Sequence, residues 1–159
     1  MNIKNVIVCL IFLLMNVQSS MMQQPSMGCQ YSRVFVEKFL EYLQRPYFEK
    51  VPVMRVLNML GNCIDRKLLL PDCLNIQGLN GNTLLHGLAK LGDPELFGPG
   101  LRLRLNPMMK NKRCRTAEDI LHEKRLRFKR LKRNRETAAR YAQCLKLYKN
   151  AYSIPDKEK

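Results

Sequence analysis

The stretch NGNTLLHGLAKLGDPELF, residues 80–97, carries the strongest structural signal in the chain. Thr83 can cap a helix with its side chain, and His86 can bond back to the turn that precedes this cap. The apolar residues that follow recur at the spacing of one helix face: Leu85, Leu88, Ala89 and Leu91. We therefore predict a helix that begins after Thr83 and buries this face, with a small residue where a neighbouring helix approaches closely.

A second stretch, NPMMKNKRCRTAEDIL (residues 106–121), repeats this pattern further along the chain. Thr116 takes the place of Thr83, and it again stands before a run of helix-forming residues. Two capped motifs at this separation indicate a structural repeat with a period of about 33 residues. A single unit of this size cannot bury its own apolar face, so about three units must stack to form a stable core.

The two motifs resemble ankyrin repeats, whose 33-residue unit is a turn followed by two antiparallel helices and carries a Thr-Pro-Leu-His motif. Thr83-Leu84-Leu85-His86 is similar to that motif, with Leu in place of Pro. Asn80-Gly81 resembles the turn before it, and Gly92 resembles the break between the helices. The resemblance implies an all-α fold, a short ankyrin-like helical solenoid of about three helix pairs over residues 31–125.

Three departures from the family pattern predict local differences. Gly98-Pro99-Gly100 falls where the second helix of the unit should run, so we expect that helix to be short or broken. Cys114 stands where Gly81 stands one unit earlier, so its Cβ is disfavoured if the turn requires a positive φ. Arg125 is the counterpart of Gly92, so the signal for a helix break is missing from the last unit.

The N-terminal part of this region shows helical spacing without the repeat motif. A first helix is predicted after Ser32 and ends at Pro46; its apolar face is Val36, Phe39, Leu40 and Leu43. A second helix is predicted from Pro52 to a cap at Gly61, followed by a short run, IDRKLLL, that stops at Pro71. These elements would supply the N-terminal layers of the array.

The C-terminal part contains strong helix formers and no Gly or Pro between Met108 and Ile154. We predict a basic C-terminal helix over residues 126–152, with a tail at 153–159. The residues from about 117 to 150 could form one long helix, or two helices with a bend near Asn134.

The charge of +15 is concentrated in the C-terminal third of the chain. Residues 124–135, KRLRFKRLKRNR, hold eight cations and no acid: Lys124, Arg125, Arg127, Lys129, Arg130, Lys132, Arg133 and Arg135. Four interpretations stay open. The segment could be a patch for a polyanion such as nucleic acid or a heparin-like chain, a nuclear-import-like cluster, a pair of dibasic processing sites, or the solvated face of a capping helix.

The N-terminus has the layout of a secretory signal peptide over residues 1–19. Val6–Met15 is an unbroken apolar run of ten residues, too short to span a bilayer, and small residues follow it. Residues 20–30 predict a flexible lead-in. We therefore expect a secreted protein without a spanning segment after cleavage; without cleavage, an intracellular or membrane-tethered protein is the alternative.

Five cysteines would remain after signal cleavage, an odd number that cannot pair fully within one chain. Cys63 and Cys73 could form a bridge or remain as buried thiols. The cysteine spacings match no zinc pattern, so no metal site is predicted, and no motif calls for a cofactor or a small-molecule substrate.

The sequence predicts a non-catalytic protein that binds another protein. No serine or cysteine stands at a spacing from His86 or His122 that suggests an activated nucleophile. The resemblance implies binding through turn tips and a concave face, here Gln77, Leu79, Asn80, Asn82, Lys110, Lys112, Arg113 and Arg115. The partner's identity stays open, with an acidic protein surface or a polyanion as the two kinds that the charge favours.

Overall fold

The structure, a computed structural model, describes residues 25–67, 69–78, 80–131 and 134–152. Within these ranges it is all-helical, with six α-helices, one short 3-10 helix and no strand. The all-α prediction is therefore confirmed. The helices are α1 (Pro25–Leu43), α2 (Lys50–Asp65), α3 (Leu84–Leu91), α4 (Pro94–Leu101), α5 (Ala117–Arg130) and α6 (Arg135–Tyr152), and the 3-10 helix is Pro71–Leu74.

The six helices of the described chain form two layers. Helix α3 packs between α1 and α5 in one layer, and α4 packs between α2 and α6 in the other. The layers meet where α3 packs on α4 and α5 packs on α6. The layer of odd-numbered helices is here called the inner layer and the layer of even-numbered helices the outer layer.

One apolar core runs through both layers. Phe39 of α1, Leu57 of α2, Leu88 of α3, Phe97 of α4 and Tyr148 of α6 are all less than 2% exposed and belong to the same cluster. Because every helix contributes to this cluster, each needs its neighbours to cover its apolar face.

The stretch that opens the repeat folds as predicted. Helix α3 begins after Thr83 and ends at Gly92, which adopts a left-handed conformation with φ 61°. Asp93 then caps α4 by accepting the Glu95 N–H at 3.0 Å, and Pro94 occupies the first turn of that helix. Helix α4 has eight residues and contains Pro99, so the expected short second helix is present.

Three predicted boundaries in the N-terminal half are wrong. Helix α1 already begins at Pro25, a residue suited to the first helical turn, so residues 25–30 are not a flexible lead-in. Gly61 does not cap the second helix, because α2 continues through it to Asp65. This glycine lies in the helix interior and faces the side chain of Arg102. The run IDRKLLL forms no third helix: Ile64 and Asp65 complete α2, and Leu69 is buried in the core.

The predicted single helix over residues 126–152 is also wrong, and the two-helix alternative describes the chain. Helix α5 ends at Arg130, α6 begins at Arg135, and the expected boundary at residue 126 falls inside α5. The break lets α6 fold back so that Tyr141 stacks on Phe128, with ring centroids 5.7 Å apart. One straight helix would leave the apolar face of α6 in water.

The residues outside the described ranges include the predicted signal peptide (1–19), the start of the lead-in (20–24) and the tail (153–159). Among the helices that are described, none is long and apolar enough to cross a bilayer. Cys63 is a buried free thiol, so the alternative of a Cys63–Cys73 bridge is not realised.

Candidate functional site

Two turns of identical hydrogen bonding precede α3 and α5 and occupy equivalent positions in the two repeat units. In the first turn (residues 78–82), Gly78 N–H donates to Asn82 O and Gly81 N–H donates to Gly78 O, at 3.0 and 2.7 Å. In the second turn (residues 111–115), Asn111 N–H donates to Arg115 O and Cys114 N–H to Asn111 O, both at 2.9 Å. The backbone hydrogen bonds therefore recur with the same period as the sequence motif.

The two turns stack on each other through side-chain hydrogen bonds. Gln77 Nε2 donates to Lys110 O at 2.7 Å, and Asn111 Nδ2 donates to Asn82 Oδ1 at 3.1 Å. Gln77 and Lys110 are themselves one repeat period apart, so each unit contacts the equivalent position of the next. The turns therefore form a continuous edge beside the inner helices.

His86 joins the two units from beneath this edge. Its Nε2 lies 2.9 Å from Arg115 O in the second turn, so this nitrogen carries the proton. Its Nδ1 then accepts from Thr83, whose N–H lies at 3.2 Å and whose Oγ1 lies at 2.7 Å. His86 is 1% exposed and neutral, because burial lowers its pKa below the usual 6.5 and outweighs the opposing bond to Arg115.

This geometry predicts that the protein loses stability as the pH falls below about 6.5, the ordinary pKa of a histidine in the unfolded chain. From that pH down to the lower folded pKa of His86, the unfolded state binds more protons, at a cost of up to about 1.4 kcal/mol per pH unit. Urea unfolding between pH 7.5 and 5.5 measures this slope. A His86→Gln variant should be less stable at pH 7.5 but have a flatter profile, and equal slopes in the two proteins would contradict the assignment.

The second unit has a different cap at the same position. Thr116 N–H donates to Asp119 Oδ2 at 2.8 Å, and Asp119 N–H donates to Thr116 Oγ1 at 3.2 Å. Burial opposes ionisation of Asp119, but the N–H and the hydroxyl of Thr116 both donate to its Oδ2 and hold its pKa below the ordinary value. Asp119 stands one repeat period after His86 and is exposed, so it lacks the outward bond that links one unit to another.

Cys114 and Gly81 occupy equivalent turn positions, both with positive φ (54° and 69°). We expect Cys114→Gly to stabilise the protein by about 0.5–1 kcal/mol, because an L side chain is strained in this conformation and exposed Cys114 loses little packing. Gly81→Ala should cost about 2 kcal/mol, since its Cβ would lie 2.7 Å from Lys112 N. Urea titration of both variants checks the pair; a destabilised Cys114→Gly would contradict the strain.

Most of the residues predicted to bind a partner lie on this edge. The exposed members are Gln77, Asn80, Lys110, Lys112 and Arg113, whereas Leu79 falls outside the described residues. Asn82 was predicted to contact the partner, but its side chain is only 4% exposed and bonds to Asn111. Arg115 is half-buried and forms an ion pair with Glu123. These last two residues hold the turns together rather than present a surface.

The predicted basic patch is divided by the break between α5 and α6. Arg127, Lys129 and Arg130 are exposed on α5, and Arg135 is exposed at the start of α6. Lys124 and Arg125 are half-buried, while Lys132 and Arg133 lie outside the described residues. The six cations that the structure describes therefore do not share one helix face.

Lys90, at the end of α3, is a cation that sequence reasoning did not select. Burial lowers its pKa, and the nearby charges of Arg113, Arg115 and Lys124 lower it further. These four residues, here called the cation cluster, bring part of the predicted edge and part of the predicted patch into one surface. The sequence signal that could have pointed to Lys90 is the repeat, because this residue stands one repeat period before Glu123 of α5.

Two open pockets lie beside helices α1 and α5. One, of about 500 Å³, is lined by Glu123, Leu126, Arg127, Arg130 and Leu131 at the C-terminal end of α5. The other, of about 200 Å³, lies between α1 and the first turn, with Glu37, Leu40, Glu41 and Gln44 on its α1 side. The residues of α5 in the first set have the spacing i, i+3, i+4, i+7, which is one stripe along a helix, and Glu37, Leu40 and Glu41 of α1 have the spacing i, i+3, i+4.

Outside the two turns, the described chain contains a second histidine and buried thiols. His122 lies 3.6 Å from Glu118 in the same helix. No group of three or more His, Cys, Asp or Glu side chains in the described part of the chain is arranged to hold a metal ion. Burial raises the pKa of the Cys144 thiol to about 12, which removes its thiolate at neutral pH.

No protein-family model matches this chain, and no curated protein and no solved structure matches it either.

Proposed function

We propose that this protein is a non-catalytic binding module of the ankyrin-repeat type, a short helical solenoid of three helix pairs. The observation that carries the proposal is the bond from His86 of one unit to Arg115 O of the next, within a repeating register of turn, cap and inner helix. A 33-residue unit with a turn, two helices and a Thr-x-Leu-His cap is the pattern of that family. The packing supports it in part: α3 packs on α4 and α5 packs on α6, and α1–α3–α5 and α2–α4–α6 form two layers.

The partner in this proposal is another protein, bound by the turn edge and the concave side of the inner helices. Gln77, Asn80, Lys110, Lys112 and Arg113 are exposed along that edge. Asn82, Asn111 and His86 hold the edge rigid from below, which lowers the entropy lost on binding.

The proposal is tested by comparing what the wild-type protein and an edge variant capture from cells. The edge variant is Gln77→Ser/Asn80→Ser/Lys112→Ser/Arg113→Ser, and the matched control is Arg55→Ser/Lys146→Ser on exposed positions of the outer helices. Proteins retained by wild type and control but lost with the edge variant, after nuclease treatment, support the proposal. Retention by the edge variant would contradict it.

A polyanion is the second candidate partner, because the charges of the cation cluster act on Lys90 and further cations are exposed on α5. Binding of nucleic acid or a heparin-like chain would weaken steeply with salt, as each phosphate or sulfate contact releases a counterion. Loss of capture on nuclease or heparinase treatment would favour this candidate over the protein partner.

Secretion remains part of the proposal, supported by the apolar run Val6–Met15 and the small residues after it. Intact mass and N-terminal sequencing of protein from the medium of an expressing eukaryotic culture test it. A mature chain that starts at Ser20 or Met21 is the expected result. Full-length protein found only in the cell lysate would favour the intracellular or membrane-tethered alternative.

A further inference from the structure

The two ends of the inner layer differ in their charges. On α1, Glu37 and Glu41 each form an ion pair within the helix, with Arg33 and Lys38 respectively. The basic stripe of α5 is Glu123, Leu126, Arg127 and Arg130. Lys90 of α3 occupies the repeat position of Glu123, and α3 packs between α1 and α5, so Lys90 lies between these two ends.

The positive charge of the basic stripe is not neutralised within the described chain. Arg115 pairs with Glu123, the one acid of the stripe. Arg127 and Arg130 are exposed, and no carboxylate of a described residue lies within ion-pair distance of either. Lys90, Arg113 and Lys124 add to this field, which attracts an anionic ligand to this end of the surface.

Apolar side chains stand among these cations. Leu126 is 53% exposed and Leu131 is 49% exposed, and both line the pocket of about 500 Å³ with Arg127 and Arg130. The only aromatic residue of α5, Phe128, is stacked on Tyr141 and offers no platform for a nucleic-acid base. Exposed leucines beside these two exposed arginines fit a ligand that has both carboxylates and apolar groups.

We propose that the basic stripe and the adjoining cation cluster bind an acidic amphipathic segment of a partner protein, with carboxylates on Arg127 and Arg130 and apolar side chains on Leu126 and Leu131. This inference rests on the proposed function and specifies its partner chemistry.

The test uses fluorescence anisotropy with the full chain and a labelled synthetic peptide built from Glu and Leu, about twelve residues long, which is enough for three helical turns. A second peptide has Ser in place of every Leu, and a single-stranded DNA oligonucleotide has the same charge. The protein variants are Arg127→Glu/Arg130→Glu and Leu126→Ser/Leu131→Ser. Their matched controls are Arg55→Glu/Lys146→Glu and Leu70→Ser, which alter exposed residues elsewhere.

The Glu–Leu peptide should bind the wild-type protein more tightly than the Glu–Ser peptide and the oligonucleotide do. Both stripe variants should weaken its binding by about tenfold, and both controls by less than about twofold. If the Glu–Ser peptide or the DNA bound as tightly as the Glu–Leu peptide, and the leucine changes had no effect, the inference would be overturned in favour of a polyanion site. Stripe variants that bind the peptide normally would also overturn it. The proposed function would still stand if the edge variant loses its captured protein.

Discussion

Replacing Gly92 by alanine is expected to lower the free energy of unfolding by about 3 kcal/mol. Gly92 has φ 61°, where an alanine is strained, and the added Cβ would overlap the ring of Tyr141. That ring is held in place, because it stacks on Phe128 and its hydroxyl donates to Lys90 O at 2.7 Å. The substitution must therefore either displace α6 or distort the end of α3.

Gly98→Ala is the matched control for this prediction. A Cβ at Gly98 meets no atom within 4 Å, and the residue lies inside α4, so alanine should stabilise the protein by about 0.5–1 kcal/mol. Urea unfolding followed by circular dichroism measures both variants. If Gly92→Ala were as stable as Gly98→Ala, the close packing of α6 on the end of α3 would be wrong.

Ending the chain at Asn134 is expected to abolish the cooperative fold. Helix α6 buries Tyr141, Cys144, Leu145 and Tyr148, and the hydroxyls of Tyr148 and Tyr152 donate to Pro107 O and Leu105 O in the segment between α4 and α5. Fully burying even one such large apolar side chain contributes about 1.5–3 kcal/mol. The loss of the whole face is comparable to the net stability of about 5–15 kcal/mol typical of a domain.

Helical content, thermal unfolding and gel filtration of the shortened chain measure this effect. Leu145→Ala in the full chain should lose about 2–5 kcal/mol and still fold, whereas Gln143→Ser/Lys146→Ser on the exposed side of α6 should change the stability by less than about 0.5 kcal/mol. A cooperatively folded chain that ends at Asn134 would contradict the structure. It would also restore the interpretation of Arg130 and Arg133 as processing sites that release a separable tail.

The repeat was predictable from sequence because its signals are local. Thr83 and Thr116 cap helices through bonds to residues three positions away, and Gly92 ends α3 by its own conformation. Cys114 was expected to be strained from its position alone, and it has a positive φ. The absence of a glycine at the position of Arg125 was also informative. Helix α5 continues through Arg125, whereas α3 ends at Gly92, the equivalent position one unit earlier.

The candidate surface was predictable only in part. The edge residues Gln77, Asn80, Lys112 and Arg113 are exposed as a turn tip requires, but Asn82 is buried because its amide serves the bond to Asn111. That bond joins residues 29 positions apart, so no spacing rule for a single turn indicates it. Lys90 was missed for the same reason, because its cationic neighbours come from the second turn and from α5.

By itself, the sequence determined the helical class, the repeat period, the caps of α3 and α5 and the concentration of charge in the C-terminal third. These features depend on backbone propensity, capping and composition, which act over a few residues. Only the tertiary structure decided where the basic segment breaks, which cations meet and which leucines stay exposed among them. Helix α6 turns back because its apolar face gains more from burial on α4 and α5 than from continuing one helix into water, and that comparison needs the packed neighbours.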